Sequence, residues 1–374
     1  METKNYIEQN LPRFLDELFT LIKIPSVSSH THRHNDIKNC TEQWKKLLLE
    51  AGVDIAEILP TNGNPVVFAS KIIDKSLPTV MVYGHYDVMP AEPLELWETP
   101  PFEPQVRDGK IFARGADDDK GQSFMHAKAF EYLFKTNQLK CNVKFLLEGE
   151  EEIGSPSLED FCKKNKKLLK CDTILVSDTS MLAADKPSIT TGLRGLAYWE
   201  IEVTSANRDL HSGIFGGAVA NPITELTKML AQLIDNEGRI TIPHFYDDVE
   251  FISKKEKELI RQIPFDEKEY KEKLNIQYVH GEKGFSTIER TGTRPAMDIC
   301  GIWGGYTGEG SKTVLPSKAY AKLSARLVPN QKYEKIAKLV EKHLLKIAPK
   351  YVDVKVTTLH GAESYVCPID SKEY

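Results

Sequence analysis

The segment PTVMVYGHYDVMP, residues 78–90, decides how the fold is interpreted. Five of the six residues from Thr79 to Gly84 are apolar or glycine, with no polar alternation, which is typical of a strand buried on both faces. The run ends at His85 and Asp87, so an imidazole and a carboxylate lie at the end of a core strand. We interpret this as a core strand whose carboxyl end carries a functional site.

Further strand-like runs place this strand in a sheet. They are PVVFASKI (65–72), VKFLLEG (143–149) and TILVSD (173–178). Helical patterns around 120–135 and 156–168 fall between the last three runs, and such alternation predicts a mostly parallel sheet covered on both faces. Ligands of such sheets bind at the carboxyl ends of the strands, where Glu151, Glu152 and Asp178 join His85 and Asp87.

The pattern changes after about residue 190. The run LAYWEIEVTS (196–205) alternates between apolar and polar residues, as in a half-exposed antiparallel strand. A β-α-β…β-α-β order follows, which predicts a second, two-layer α+β domain of the ferredoxin-like kind. The predicted fold class is therefore α/β, with this smaller domain added.

Composition excludes several classes of partner. A net charge of -5 and a pI near 6.1 argue against nucleic acid or an anionic membrane. We found no apolar run as long as a membrane span and no secretory signal in METKNYIEQNLPRFLDELF. Six scattered cysteines favour free thiols in a reducing compartment. We therefore expect a cytoplasmic protein without a nucleic-acid or membrane partner.

The acidic motifs point to a metal site. ARGADDDKGQ (113–122) sets three aspartates before a helix, and LEGEEEIGS (147–155) sets three glutamates after a strand. Each has an ordinary alternative, a helix cap or a solvated turn. One imidazole with several carboxylates favours Zn²⁺, Mn²⁺ or Co²⁺ over Ca²⁺. Two adjacent glutamates further allow one to bind metal and the other to act as a general base.

Two residues of the second domain are candidates with equally ordinary alternatives. His211 lies in NRDLHSGIFGG (207–217), where small neighbours indicate a tight loop and simple exposure is the alternative. Arg326 stands among apolar residues in SARLVPN (324–330), as a surface residue or as a clamp for a carboxylate.

Taken in order, these motifs resemble the M20 family of metallopeptidases, in particular its carnosinase-like dipeptidase branch. The resemblance runs from about residue 10 to the end of the chain. It implies a site with two divalent ions, zinc being favoured, and hydrolysis of dipeptides or short peptides. It also implies that the second domain mediates homodimerisation and that the peptide bond between Asp118 and Asp119 is cis.

The resemblance also assigns roles to individual residues. His85, Asp118, Glu152 and Asp178 would bind the metals, with Asp118 bridging them and Asp87 orienting His85. Glu151 would be the general base. His211 would stabilise the oxyanion in the partner subunit's site, and Arg326 would hold the substrate carboxylate.

Domain boundaries follow from the same resemblance. Residues 1–190 would form the first part of the catalytic domain, 191–358 an inserted lid and dimerisation domain, and 359–374 the start of the return. The family's last metal-binding histidine would follow residue 374, and neither His343 nor His360 is expected to replace it. The 374-residue chain is therefore expected to be poorly active.

Two other functions stay open on the sequence alone. One is removal of acyl groups from N-acyl amino acids, as in acetylornithine deacetylase or succinyl-diaminopimelate desuccinylase. The other is an inactive remnant that only dimerises.

Overall fold

The computed structural model describes residues 2–183 and 185–367, and the chain divides after Ser188 into two units. The first unit contains α1 (Thr3–Ile22), α2 (His34–Ala51), β1 (Ile55–Leu59), β2 (Val66–Lys71), β3 (Thr79–His85), β4 (Gln105–Arg107), β5 (Lys110–Phe112), α3 (Lys120–Lys135), β6 (Asn142–Glu148), α4 (Leu158–Lys164) and β7 (Thr173–Val176).

The second unit follows the same chain order. It contains β8 (Gly192–Leu193), β9 (Gly195–Thr204), β10 (Leu210–His211), α5 (Ser212–Phe215), α6 (Pro222–Leu230), α7 (Lys254–Gln262), α8 (Glu267–Leu274), α9 (Thr287–Gly292), β11 (Ala296–Gly304), β12 (Val314–Leu315), β13 (Lys318–Leu327), α10 (Tyr333–Ile347), β14 (Asp353–Ala362) and β15 (Tyr365–Val366). Of the predicted return segment 359–374, residues 368–374 lie outside the described residues.

The central sheet of the first unit confirms the predicted α/β class but is mixed rather than mostly parallel. Its strand order is β1-β2-β6-β3-β7, with β3 parallel to both β6 and β7. The β1–β2 and β2–β6 pairs are antiparallel. A short connection joins β1 to β2, and a connection of that length closes only an antiparallel pair. The parallel part therefore consists of β6, β3 and β7.

Apolar side chains of helices and strands share one core in this unit. Along α2, Ile37, Trp44 and Leu48 recur at helical spacing and are buried, so one face of the helix packs inward. Strands β2 and β6 are buried along almost their whole length, with Val67 and Phe145 fully covered. This packing makes β3 and β6 rigid mounts for the residues at their carboxyl ends.

The second unit has a four-stranded antiparallel sheet in the order β11-β13-β9-β14. With α6 and α10 as its crossovers, this is the ferredoxin-like arrangement. Strand β9 is buried and half-buried at alternate positions, and Trp199, Ile201 and Val203 face the core. One side of this strand therefore packs against the core of the unit, and the other side is partly exposed to solvent.

Strand β7 is an edge strand of the first sheet, and its residues Ile174, Leu175 and Val176 are between 41% and 55% exposed.

Within the described residues, every helix is too short or too polar to cross a lipid bilayer.

Candidate metal centre

Three parallel strands bring the acidic candidates and His85 to one edge of the first sheet. His85 is the last residue of β3, and its neighbour on β6 is Glu148, after which residues 149–152 follow. Asp178 lies two residues beyond β7. Since β6, β3 and β7 run in the same direction, their carboxyl ends meet, as predicted for an α/β site.

His85 is fully buried, and its ring orientation is fixed by the main chain. Nδ1 lies 3.0 Å from the carbonyl oxygen of Asp87, and 3.4 Å from its carboxylate Oδ1. A carbonyl only accepts, so Nδ1 carries a proton and donates it to this oxygen. The closer contact of Asp87 with the ring is thus the carbonyl, not the carboxylate expected from the sequence.

Nε2 of His85 faces two carboxylates. It lies 3.1 Å from Oδ1 of Asp118 and 3.7 Å from Oδ2 of Asp178. Ligand atoms of these three residues all lie within 4.8 Å of one another. Nε2 is thus aimed at the point between these carboxylates, where a shared cation would take the place of its proton.

The aspartate run before α3 divides into distinct roles. Asp118 joins His85, and the peptide bond after it is cis, which confirms that prediction. Asp119 is buried, and its Oδ2 accepts from the backbone N–H of His85 (3.0 Å) and from Ser123 Oγ (2.7 Å). A Cβ at Gly84 would lie 2.0 Å from Ser123 Oγ. Gly84 therefore allows the start of α3, and Asp118 with it, to approach β3.

The two adjacent glutamates lie in the turn after β6, and their backbone N–H groups are held by Asp87. Asp87 Oδ1 accepts from the N–H of Glu151 (3.2 Å) and Oδ2 from that of Glu152 (3.1 Å). Glu152 Oε1 accepts from the N–H of Met89 (3.1 Å). The carboxylate of Glu151 has no hydrogen-bond partner in residues 2–183 or 185–367.

The acid–base properties of this centre fit a bound cation. Burial alone would lower the pKa of His85, but hydrogen bonds to Asp118 and Asp87 raise it to about 11. Burial, followed by the charge of Asp118, raises the pKa of Glu152 to about 7. Burial also raises the pKa of Asp178. The hydrogen bond to His85 lowers the pKa of Asp118. One imidazole and several carboxylates thus converge where a divalent cation could replace the proton on Nε2, so the donor set fits a metal.

The second unit contains the two other predicted site residues. His211 is exposed at the end of β10, and its Nδ1 accepts from the N–H of Gly213 (3.1 Å). Its Nε2 therefore carries the proton and donates to Thr313 Oγ1 at 3.1 Å. Arg326 is exposed on β13, opposite Leu196 of β9, and has no ion-pair partner within the described part of the chain.

Sequence reasoning missed a histidine near the predicted metal ligands. His126 of α3 lies with Nε2 2.6 Å from Ser177 Oγ, and Ser177 directly precedes Asp178. Asp119, Ser123 and His126 recur at helical spacing (i, i+4, i+7), so they share one face of the helix. This repeat of polar residues on one face of a predicted helix is the sequence feature that could have revealed the group.

Comparison with known proteins adds relatives of known activity. The model of Peptidase family M20/M25/M40 matches residues 81–374. The chain is 33% identical to Beta-Ala-His dipeptidase of Rattus norvegicus over 373 residues, covering 98% of this chain and 74% of the relative. It is 34% identical to Cys-Gly metallodipeptidase DUG1 of Candida albicans over 355 residues, covering 90% and 73%.

Solved structures agree with these relatives. Human carnosine dipeptidase 1 superposes with a TM-score of 0.86 at 30% identity, covering 99% of this chain and 82% of that one. The dipeptidase Dug1p of Saccharomyces cerevisiae gives 0.84 at 29%, covering 98% and 80%. By its sequence, its fold and the arrangement of acids around His85, this chain belongs to peptidase family M20/M25/M40.

Proposed function

We propose that this chain is a metal-dependent dipeptidase that hydrolyses the peptide bond of dipeptides or short peptides. The observation that carries the proposal is the group His85, Asp118 and Asp178 beside the glutamate pair Glu151–Glu152. The relatives support the substrate class, since they are named for Beta-Ala-His and Cys-Gly dipeptides.

The metal would be held by His85, Asp118, Glu152 and Asp178. We propose that these residues would hold two divalent ions, with zinc favoured and manganese or cobalt as alternatives, because one imidazole with several carboxylates suits these ions. When bound, the ions would polarise the scissile carbonyl and lower the pKa of water.

Glu151 would act as the general base. Its backbone N–H is held by Asp87, its carboxylate has no hydrogen bond to any residue that the structure describes, and burial raises its pKa. A carboxylate with a raised pKa accepts a proton from the attacking water more readily and then releases it to the leaving amine. Asp87 would hold the backbone of Glu151 and Glu152 in a fixed position relative to His85.

His211 and Arg326 would complete the binding of the substrate. The Nε2–H of His211 is a neutral donor suited to a developing oxyanion, and we propose that it acts in the partner subunit's site. The guanidinium of Arg326, which forms no ion pair with any described residue, would bind the terminal carboxylate of the peptide in a bidentate manner.

We further propose a cytoplasmic homodimer formed through the second unit, the predicted lid and dimerisation domain 191–358. Ile299, Ile302 and Trp303 on the edge strand β11 are 42–50% exposed, which supports an interface there. All six cysteines are free thiols, which fits a reducing compartment.

A substrate panel tests the activity. The purified chain would be loaded separately with Zn²⁺, Mn²⁺ or Co²⁺ and given β-Ala-His, Cys-Gly, other dipeptides and N-acyl amino acids. We expect amine release from dipeptides that a chelator abolishes and added metal restores. Glu151→Gln is the matched control, which should bind metal without turnover. Hydrolysis of acyl substrates alone would refute the proposal.

A further inference from the structure

A loop far from the metal centre in sequence contacts the turn that carries the glutamate pair. We call residues 61–65, between β1 and β2, the support loop, and residues 148–157 the acidic turn. The N–H of Asn64 donates to Glu150 Oε1 at 2.9 Å, and its Nδ2 donates to the carbonyl oxygen of Gly149 at 2.7 Å. Tyr86, next to His85, donates its hydroxyl to the carbonyl oxygen of Pro65 at 2.6 Å.

The support loop has a defined conformation of its own. Thr61 Oγ1 donates to the carbonyl oxygen of Asn64 at 2.7 Å and accepts from the N–H of Gly63 at 2.9 Å. A Cβ at Gly63 would lie 1.8 Å from Glu150 Oε1. Glycine at this position therefore permits the close approach of the loop to the acidic turn.

The acids of the acidic turn divide into two groups by their partners. Glu150 is buried, and its other oxygen accepts from the N–H of Ser157 at 3.1 Å. Glu148 is also buried and accepts from the hydroxyl groups of Tyr83 (2.5 Å) and Ser155 (2.8 Å). Glu148 and Glu150 thus hold the turn, whereas the next two glutamates are the ones proposed to meet metal and water.

We propose that Asn64 is a positioning residue for the metal centre, which fixes the acidic turn through its two hydrogen bonds to Gly149 and Glu150. This inference rests on the proposed function of Glu151 and Glu152, since it assigns to Asn64 the task of holding their backbone. Asn64 bonds to the two residues that precede Glu151, so a displacement there moves the general base first.

The direct test measures the turn without substrate and without metal. Amide hydrogen exchange of residues 149–157 would be compared in the metal-free chain, Asn64→Ala and Asn62→Ala. Loss of one neutral hydrogen bond is expected to speed exchange about 3- to 10-fold in the turn. Asn62 is a matched control, because it lies in the same loop but is exposed, and among the described residues its side chain reaches only Asp160, at 3.5 Å.

Kinetics and metal affinity give the second readout. In the zinc-loaded enzyme we expect Asn64→Ala to lower kcat about tenfold with little change in KM, because orientation of the base is lost and not the contact with substrate. Zinc affinity measured by chelator competition should fall less than kcat. Asn62→Ala should leave all three quantities unchanged.

Gly63→Ala provides an independent perturbation, because it displaces Glu150 without removing the Asn64 side chain. We expect the same local increase in exchange. Exchange that stays unchanged in the turn in both variants, or that rises equally over the whole first unit, would overturn the positioning role. The exchange result does not depend on turnover, so a failed substrate panel and a failed support loop are told apart.

Discussion

The substitution Asp87→Asn tests how the metal centre is held together. Asp87 is fully buried, and each of its carboxylate oxygens accepts one backbone N–H, that of Glu151 at 3.2 Å and that of Glu152 at 3.1 Å. Asparagine has the same shape but only one oxygen, so its NH₂ group would face one of these donors. The change therefore removes a hydrogen bond and leaves a partly buried N–H without a partner.

The magnitude follows from these two contacts. A hydrogen bond to a charged group contributes about 1.5–3 kcal/mol, so we expect the free energy of unfolding to fall by about 2–4 kcal/mol. Displacement of Glu151 and Glu152 that costs the transition state about 1.4–2.8 kcal/mol would lower kcat/KM about 10- to 100-fold. The His85 ring should keep its orientation, because the acceptor of its Nδ1–H is the carbonyl group of Asp87.

Urea unfolding and steady-state kinetics with saturating zinc measure the two effects. Asp54→Asn is the matched control, since it makes the same change at a half-exposed carboxylate that pairs with Lys71 on the surface. That variant should lose less than about 1 kcal/mol. If Asp87→Asn keeps both the unfolding midpoint and kcat/KM, the carboxylate does not hold the acidic turn and the reasoning fails.

Three further predictions concern the base, the dimer and the pH dependence of stability. Glu151→Gln should keep its metal, measured by elemental analysis, and lose about 10²–10⁴-fold in kcat; loss of metal would mean that Glu151 and Glu152 have exchanged roles. Inactive His211→Ala and Glu151→Ala homodimers should regain activity when their subunits are mixed, and no recovery despite proven exchange would exclude action in trans. Burial would raise the pKa of Glu131, but hydrogen bonds from Arg13, Lys128 and Lys135 lower it to about 2. Its stabilisation is thus complete above about pH 4.5 and is lost as the pH falls toward 2, by about 3 kcal/mol; a stability difference between wild type and Glu131→Gln that does not shrink over this range contradicts it.

Part of the fold could be predicted because burial leaves a direct mark on sequence. Strands β3 and β6 are nearly continuous apolar runs, and β9 alternates, so each was identified from its pattern. Strand β1 was not predicted, because it is a half-exposed edge strand in which apolar and polar residues do not alternate clearly. Strand β11 is another edge strand, and an irregularity in its pairing between Ile299 and Gly301 breaks its periodicity.

The candidate site shows the same limit. The position of His85 and of the acids at strand ends could be predicted, because the ends of parallel strands meet. Which acids remain free of hydrogen bonds could not be predicted, since that depends on partners distant in the chain. The carboxylate of Glu150 accepts a hydrogen bond from the N–H of Asn64, 86 residues away. Neighbouring glutamates have the same chemistry in sequence, and only tertiary contacts separate a structural carboxylate from a reactive one.

The acceptor that fixes the tautomer of His85 is a main-chain carbonyl, and this affects how the site responds to mutation. Every amino acid at position 87 supplies that carbonyl, so no single substitution there removes it. Substitutions at residue 87 can therefore loosen the acidic turn and still leave Nε2 of the imidazole aimed at the metal position. Random mutagenesis of this segment should yield variants with graded turnover that retain the histidine ligand, whereas its orientation is lost only when the backbone after β3 takes another path.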